Sequence, residues 1–133
     1  MRTLMLITIT VWLYSLVACE AFTSARKFPL EQRVGDAVRG EASWYSTRTN
    51  GTTTASGIPL NDSKLTAAHK TLPFGTRVRV TNLDKDTQVI VKITDRGPFI
   101  PGRIIDVSHA AAKELDMIHS GVCPCQIEVL KSE

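Results

Sequence analysis

Two stretches in the middle of the chain alternate apolar and polar residues, RVRVTNL (77–83) and TQVIVKITD (87–95). A period of two predicts half-buried strands, with Val78, Val80, Val89, Val91 and Ile93 on the inward face. Asp84-Lys85-Asp86 between them has the composition of a hairpin turn. VRGEASWYS (38–46), RIIDV (103–107) and QIEVL (126–130) read as further short strands. KLTAAHKTLPFGT (64–76) suggests one helical turn through Ala67 and Ala68 before Pro73. Ser108 suits the N-cap of a helix in HAAAKELDM (109–117), with Gly121 just beyond it. TRTNGTTTASG (47–57) is almost wholly Thr, Ser, Asn and Gly, cannot build a core and reads as a loop. Short strands broken by Gly and Pro, with one or two short helices, predict a mainly β fold closed into a small barrel.

The start of the chain changes the address. Met1-Arg2 precedes a charge-free, mostly apolar run from Leu4 to Leu16. That run is shorter than the about 20 residues that span a bilayer and matches the apolar part of an export signal. It ends in Leu16-Val17-Ala18-Cys19, small residues before a cysteine, the arrangement of a bacterial lipoprotein cleavage box. The expectation is a signal peptide over 1–18, lipidation of Cys19, a polar tether over 19–37 and one domain over 38–133. Glu20 rather than Asp follows Cys19, which favours an outer over an inner membrane where both exist.

Without Arg2 the balance is 15 basic to 13 acidic residues, a net charge of +2. That is too little for a nucleic-acid footprint. The length left after a signal peptide suits one compact domain, expected as a monomer. Cys123-Pro124-Cys125 leaves two readings open: a strained disulfide, or two reduced thiols against the core. The pair offers too few ligands for a metal site, and no phosphate loop or nucleophile elbow is present. No cofactor and no metal are predicted.

Three polar residues stand out. His69 follows an Ala-rich stretch, and a lone histidine is most simply structural. Asp95 ends a strand before Arg96-Gly97-Pro98, where the plain role is a turn residue bonded to backbone N–H groups. Asp106, in RIIDVS, can pair with Arg96 or Arg103. Taken singly, none points to chemistry.

Together the stretches do. GEASWYS, TASG, LTAAHKTLPFGTRVRVTNL, VKITDRGPF and RIIDVSHAAAKELD follow one another in the order and spacing of the rare lipoprotein A family, which the chain resembles over about residues 39–130. The resemblance implies a six-stranded double-psi β-barrel, shared with expansins, and a lipid-anchored protein acting on peptidoglycan glycan strands. Active members are lytic transglycosylases that prefer strands lacking stem peptides. The expected form is single-domain, without the family's C-terminal peptidoglycan-binding domain. Carried over by residue, the groove acid falls on Asp95 and the groove histidine on His69. The Glu that active members carry after TA-[NS]-G falls on Ile58, and an acid three positions later falls on Asn61.

Lytic transglycosylation can run on a single carboxyl group. That group protonates the leaving oxygen, then takes the proton of the muramic acid C6 hydroxyl as it closes onto C1. Asp95 is the expected acid and His69 its helper, with Trp44, Tyr45, Asn61 and Arg96 as substrate-binding residues. Strand alternation must bury at least one of Trp44 and Tyr45. The alternative expectation is an expansin-like module that binds glycan without cutting it, because Ile58 removes a transition-state carboxylate.

Overall fold

The computed structural model describes residues 33–132. Cys19, the expected signal peptide and most of the expected tether lie outside them. Within them the chain runs β1 (Ala37–Tyr45), α1 (Thr47–Asn50), β2 (Thr66–Ala68), β3 (Thr76–Asn82), β4 (Thr87–Asp95), β5 (Arg103–Ser108), α2 (His109–Glu114) and β6 (Val122–Ser132). The strands close a barrel in the order β1-β5-β2-β4-β3-β6. The β1–β5 and β2–β4 pairs are parallel, and the other four are antiparallel. Closure leaves no free sheet edge.

The alternating stretches fold as their period demands. Val78, Val80, Val91 and Ile93 are almost wholly buried and Val89 nearly so. Ala42, Ala67, Ile105, Val107 and Ile127 meet them from the other strands. The 83–86 turn joins β3 to β4, and Asn82 Oδ1 accepts from Asp84 N–H. Asn82 is itself buried. Its Nδ2 donates to the Leu115 carbonyl, which also accepts from Thr87 Oγ1, so the hairpin holds the end of α2. Ser108 Oγ accepts from Ala111 N–H as the helix cap and donates to the Lys64 carbonyl. The helix stops at Glu114, short of the expected Met117.

One expectation is overturned: Ala67 and Ala68 lie on a strand. Strand β2 is central, flanked by β4 and β5. Ala67 joins the main core and Ala68 a second buried cluster with Tyr45 and Leu60, and between two strands the backbone pairing overrides alanine's helical preference. The barrel also starts earlier than expected. Before Ala37, Gly35 N–H donates to the Val129 carbonyl and Val129 N–H to that of Asp36. Gly40 has a plain reason to be glycine: a Cβ there would lie 2.5 Å from Ile104 Cγ2.

Cys123 and Cys125 are free thiols that point inward from β6. Burial pushes their pKa values up to about 11 and about 12. This is the reduced alternative of the two that the sequence left open.

Val80→Ala, Val91→Ala or Ile105→Ala should each lower unfolding free energy by about 1–4 kcal/mol. Thr53→Ala, on the exposed loop, should stay within about 0.5 kcal/mol. Denaturant melts of the four proteins check the assignment of faces.

Candidate functional site

The acids sit on the outer face of the barrel, and strand register brings them together. Ala68 pairs with Asp95 on one side and with Asp106 on the other. Asp106 in turn pairs with Ser43 of β1, whose Oγ donates to Asp106 Oδ1 at 3.1 Å. A row Asp95–Ala68–Asp106–Ser43 thus crosses four adjacent strands. Neighbouring strands lie about 4.8 Å apart, so two strand spacings separate the acid backbones and only a methyl group stands between them.

Asp95 does more than close its own turn. Its Oδ1 accepts from Arg96 N–H and from Ala55 N–H, each at 2.8 Å, while Oδ2 accepts no hydrogen bond among the described residues. The carboxylate therefore fastens the Thr-rich loop across the sheet. Ser56 N–H donates to the Thr94 carbonyl beside it, and Thr54 Oγ1 donates to the Ile58 carbonyl inside the loop. The loop is docked rather than free.

Asp106 carries the electrostatic signature of an acid. Burial, with the neighbouring Asp95 charge, pushes its pKa up to about 6 against the pull of Ser43 and Arg103. From the sequence alone Asp106 is expected only as an ion-pair partner. It makes no ion pair among the described residues. The signal was its place in RIIDVS on β5, which only β2 separates from Asp95's strand, and spacing along the chain does not reveal that.

His69 is buried and neutral. Its Nδ1 accepts from the N–H groups of Thr71 and Leu72 at 3.1 and 3.0 Å, so the ring proton sits on Nε2. Burial and the nearby Arg96 and Lys70 charges lower its pKa to about 4. It is a poor proton donor, but its Nε2–H can bond a ligand. Arg96 braces the same segment: Nη1 donates to the carbonyls of His69 and Leu72, and the guanidinium stacks 4.0 Å over Phe74. That nitrogen is committed to the scaffold.

Tyr45 corrects an expectation. It is 4% exposed, packed with Leu60 and Ala68, and has no face on which a sugar can stack. Its hydroxyl lies beside Thr66 and Thr94, near Asp95 and Asp106, without forming a well-aligned hydrogen bond, and burial raises its pKa to about 12. Trp44, one residue earlier, leaves β1 on the opposite face. Asn61 is exposed and its Oδ1 accepts from Ser63 N–H and Oγ. It lines an open hollow of about 530 Å³ with Ile58, Leu60, Asp62 and Lys64. Asp62, the nearest acid to the family's second position, is held by Thr47 through both oxygens.

The strand order and outer-face site define the class: a double-psi β-barrel. Similar barrels are the Streptomyces papain inhibitor, with a TM-score of 0.61, 21% identity and 74% of this chain and 97% of the inhibitor covered, and a Clavibacter michiganensis expansin. The expansin gives a TM-score of 0.58 and 21% identity over 74% of this chain and 52% of its own. The chain belongs to the lytic transglycolase family, whose model matches residues 37–127. It is similar to the endolytic peptidoglycan transglycosylase RlpA of Campylobacter jejuni, 48% identical over 77% of this chain and 38% of that protein. It is also 51% identical to a probable RlpA of Aquifex aeolicus, over 71% of this chain and 42% of that one. The chain thus spans about two fifths of the length of these relatives.

The Asp106 shift has a consequence for stability, with a definite sign. A group whose folded pKa is raised favours the fold while it is protonated, and that contribution is lost as pH rises from about 4 through about 6. Asp106→Asn keeps an acceptor for Ser43 and removes the ionisation. The variant should match the wild type near pH 4 and melt at a higher temperature than it at pH 8, as calorimetry at the two pH values can show.

Proposed function

We propose that this chain is an endolytic peptidoglycan transglycosylase that cuts glycan strands lacking stem peptides and leaves 1,6-anhydro-muramic acid ends. The observation that carries the proposal is the acid row, in which the partly exposed Asp106 and Asp95 flank the buried Ala68. Family membership and the names of the relatives support the reaction class. In this reading Asp106, rather than Asp95 alone, gives its proton to the glycosidic oxygen as the C1–O bond breaks. Asp95 lies close by to balance the positive charge that grows at C1. The Asp106 carboxylate then takes the proton from the C6 hydroxyl as that oxygen bonds to C1. No water enters and the proton balance closes. His69 Nε2–H orients the substrate. The Leu16-Val17-Ala18-Cys19 run supports an exported, lipid-anchored form that faces the cell wall.

The proton donor must be protonated before reaction, so kcat/KM on denuded glycan should fall about tenfold per pH unit above about 6. Asp106→Asn should abolish anhydro ends, read by mass spectrometry. Asp95→Asn keeps its Oδ1 bonds to Ala55 and Arg96, so it should hold its melting temperature and lose activity by about 100-fold or more. Asp106→Asn protein that still yields anhydro ends would overturn the assignment.

A binding-only module is the second reading, favoured by one observation. The family's Glu position is an exposed apolar Ile58, and Asn61 is tied into a local turn. In that case wild-type protein binds denuded glycan without cutting it, and Ile58→Glu produces the first anhydro ends.

A further inference from the structure

At the end of β1, beside the start of α2, lies a second recess, of about 260 Å³, lined by Trp44, Ser46, Arg48, Asp62 and His109. Four separate pieces of chain build it: the end of β1, α1, the loop before β2 and the first residue of α2. They are braced against one another. Asp62 accepts from Thr47 N–H and Oγ1, each at 2.8 Å, and its carbonyl accepts from Ala110 N–H. Trp44 is held half-buried by His109, whose ring meets it edge-on at 5.3 Å and 63°. The walls are therefore preformed, as small-molecule sites usually are.

The lining specifies a ligand. An indole offers a broad apolar surface of the kind that packs against the C–H face of a pyranose ring. Around it stand groups suited to ring hydroxyls and an acetamido group: the Arg48 guanidinium, the Asp62 oxygens with their remaining lone pairs, and the His109 imidazole. Asp62 and Arg48 offset one another in charge, which suits a neutral sugar better than an ion. The volume lies below the roughly 300 Å³ lower bound of pockets for larger ligands, so it fits one ring. Arg48 is exposed and makes no hydrogen bond or ion pair among the described residues. Nothing in the fold requires it there.

We infer that this recess is a second saccharide site, which holds one neutral N-acetylhexosamine unit away from the acids. The choice of sugar rests on the peptidoglycan reading above. The site gives the barrel a second grip on a glycan strand, independent of the residues that react.

The test separates this grip from cleavage by using protein that carries Asp106→Asn, so that only binding is read. Trp12→Phe in the same chain leaves Trp44 as its one tryptophan. Chitotetraose, a neutral N-acetylglucosamine oligomer, is titrated while Trp44 emission is followed. The expected result is a saturable change in emission, with affinity weakened about tenfold by Arg48→Ala. Trp44→Phe in the same background should lose most of the thermal stabilisation by the sugar while still folding. An emission that does not respond, or an affinity that Arg48→Ala leaves unchanged, would overturn the site. Both readings are blind to anhydro-end formation, so failure of the cleavage mechanism leaves their outcome intact.

Discussion

The structure depends on a strand of three residues. Thr66–Ala68 pairs in parallel with β4 and antiparallel with β5, and without it the barrel would open between those two. Its register shifts between Ala67 and Ala68, so that Ala68 stands opposite Asp95. The same residue stands opposite Asp106. Barrel closure and the meeting of the acids are thus one geometric event. A side chain larger than a methyl group at Ala68 would come between the two carboxyl groups.

A second constraint holds the surroundings of that row. The segment after β2 carries backbone polar groups of a turn that leads to Pro73, and no strand pairs them. His69 Nδ1 takes two of its N–H groups and Arg96 takes two of its carbonyls. Each buried group finds a partner, as buried polar atoms must. The arrangement keeps His69 uncharged and fixes its tautomer, a structural role that also prepares one ring N–H for a ligand. Structural and functional readings of this residue therefore coexist in one side chain, on different nitrogens.

How far the sequence could be read follows from which signals are local. The strands around Val78–Val91 were legible because alternation against a core writes a period of two into the chain. The Ser108 cap was legible for the same reason: it acts on its own next turn. Strand β2 was not, because Ala-Ala carries a helical preference and its pairing partners lie about 25 and 40 residues away. Asp95 was visible through a motif, whereas Asp106 needed register across three strands. The loop over residues 51–57 looked free by composition, but the carboxylate of a residue 40 positions later and the Thr94 carbonyl fasten it.

The two thiols of β6 set a race in time. In the finished barrel they are buried, and their raised pKa values make them poor thiolates and so poor nucleophiles. Before closure they have no such shelter, because β6 takes its place between β1 and β3 in the barrel. In an oxidising compartment the chain must therefore complete its barrel before Cys123 and Cys125 react. What protects these cysteines is the finished barrel, which buries them and keeps the thiols protonated.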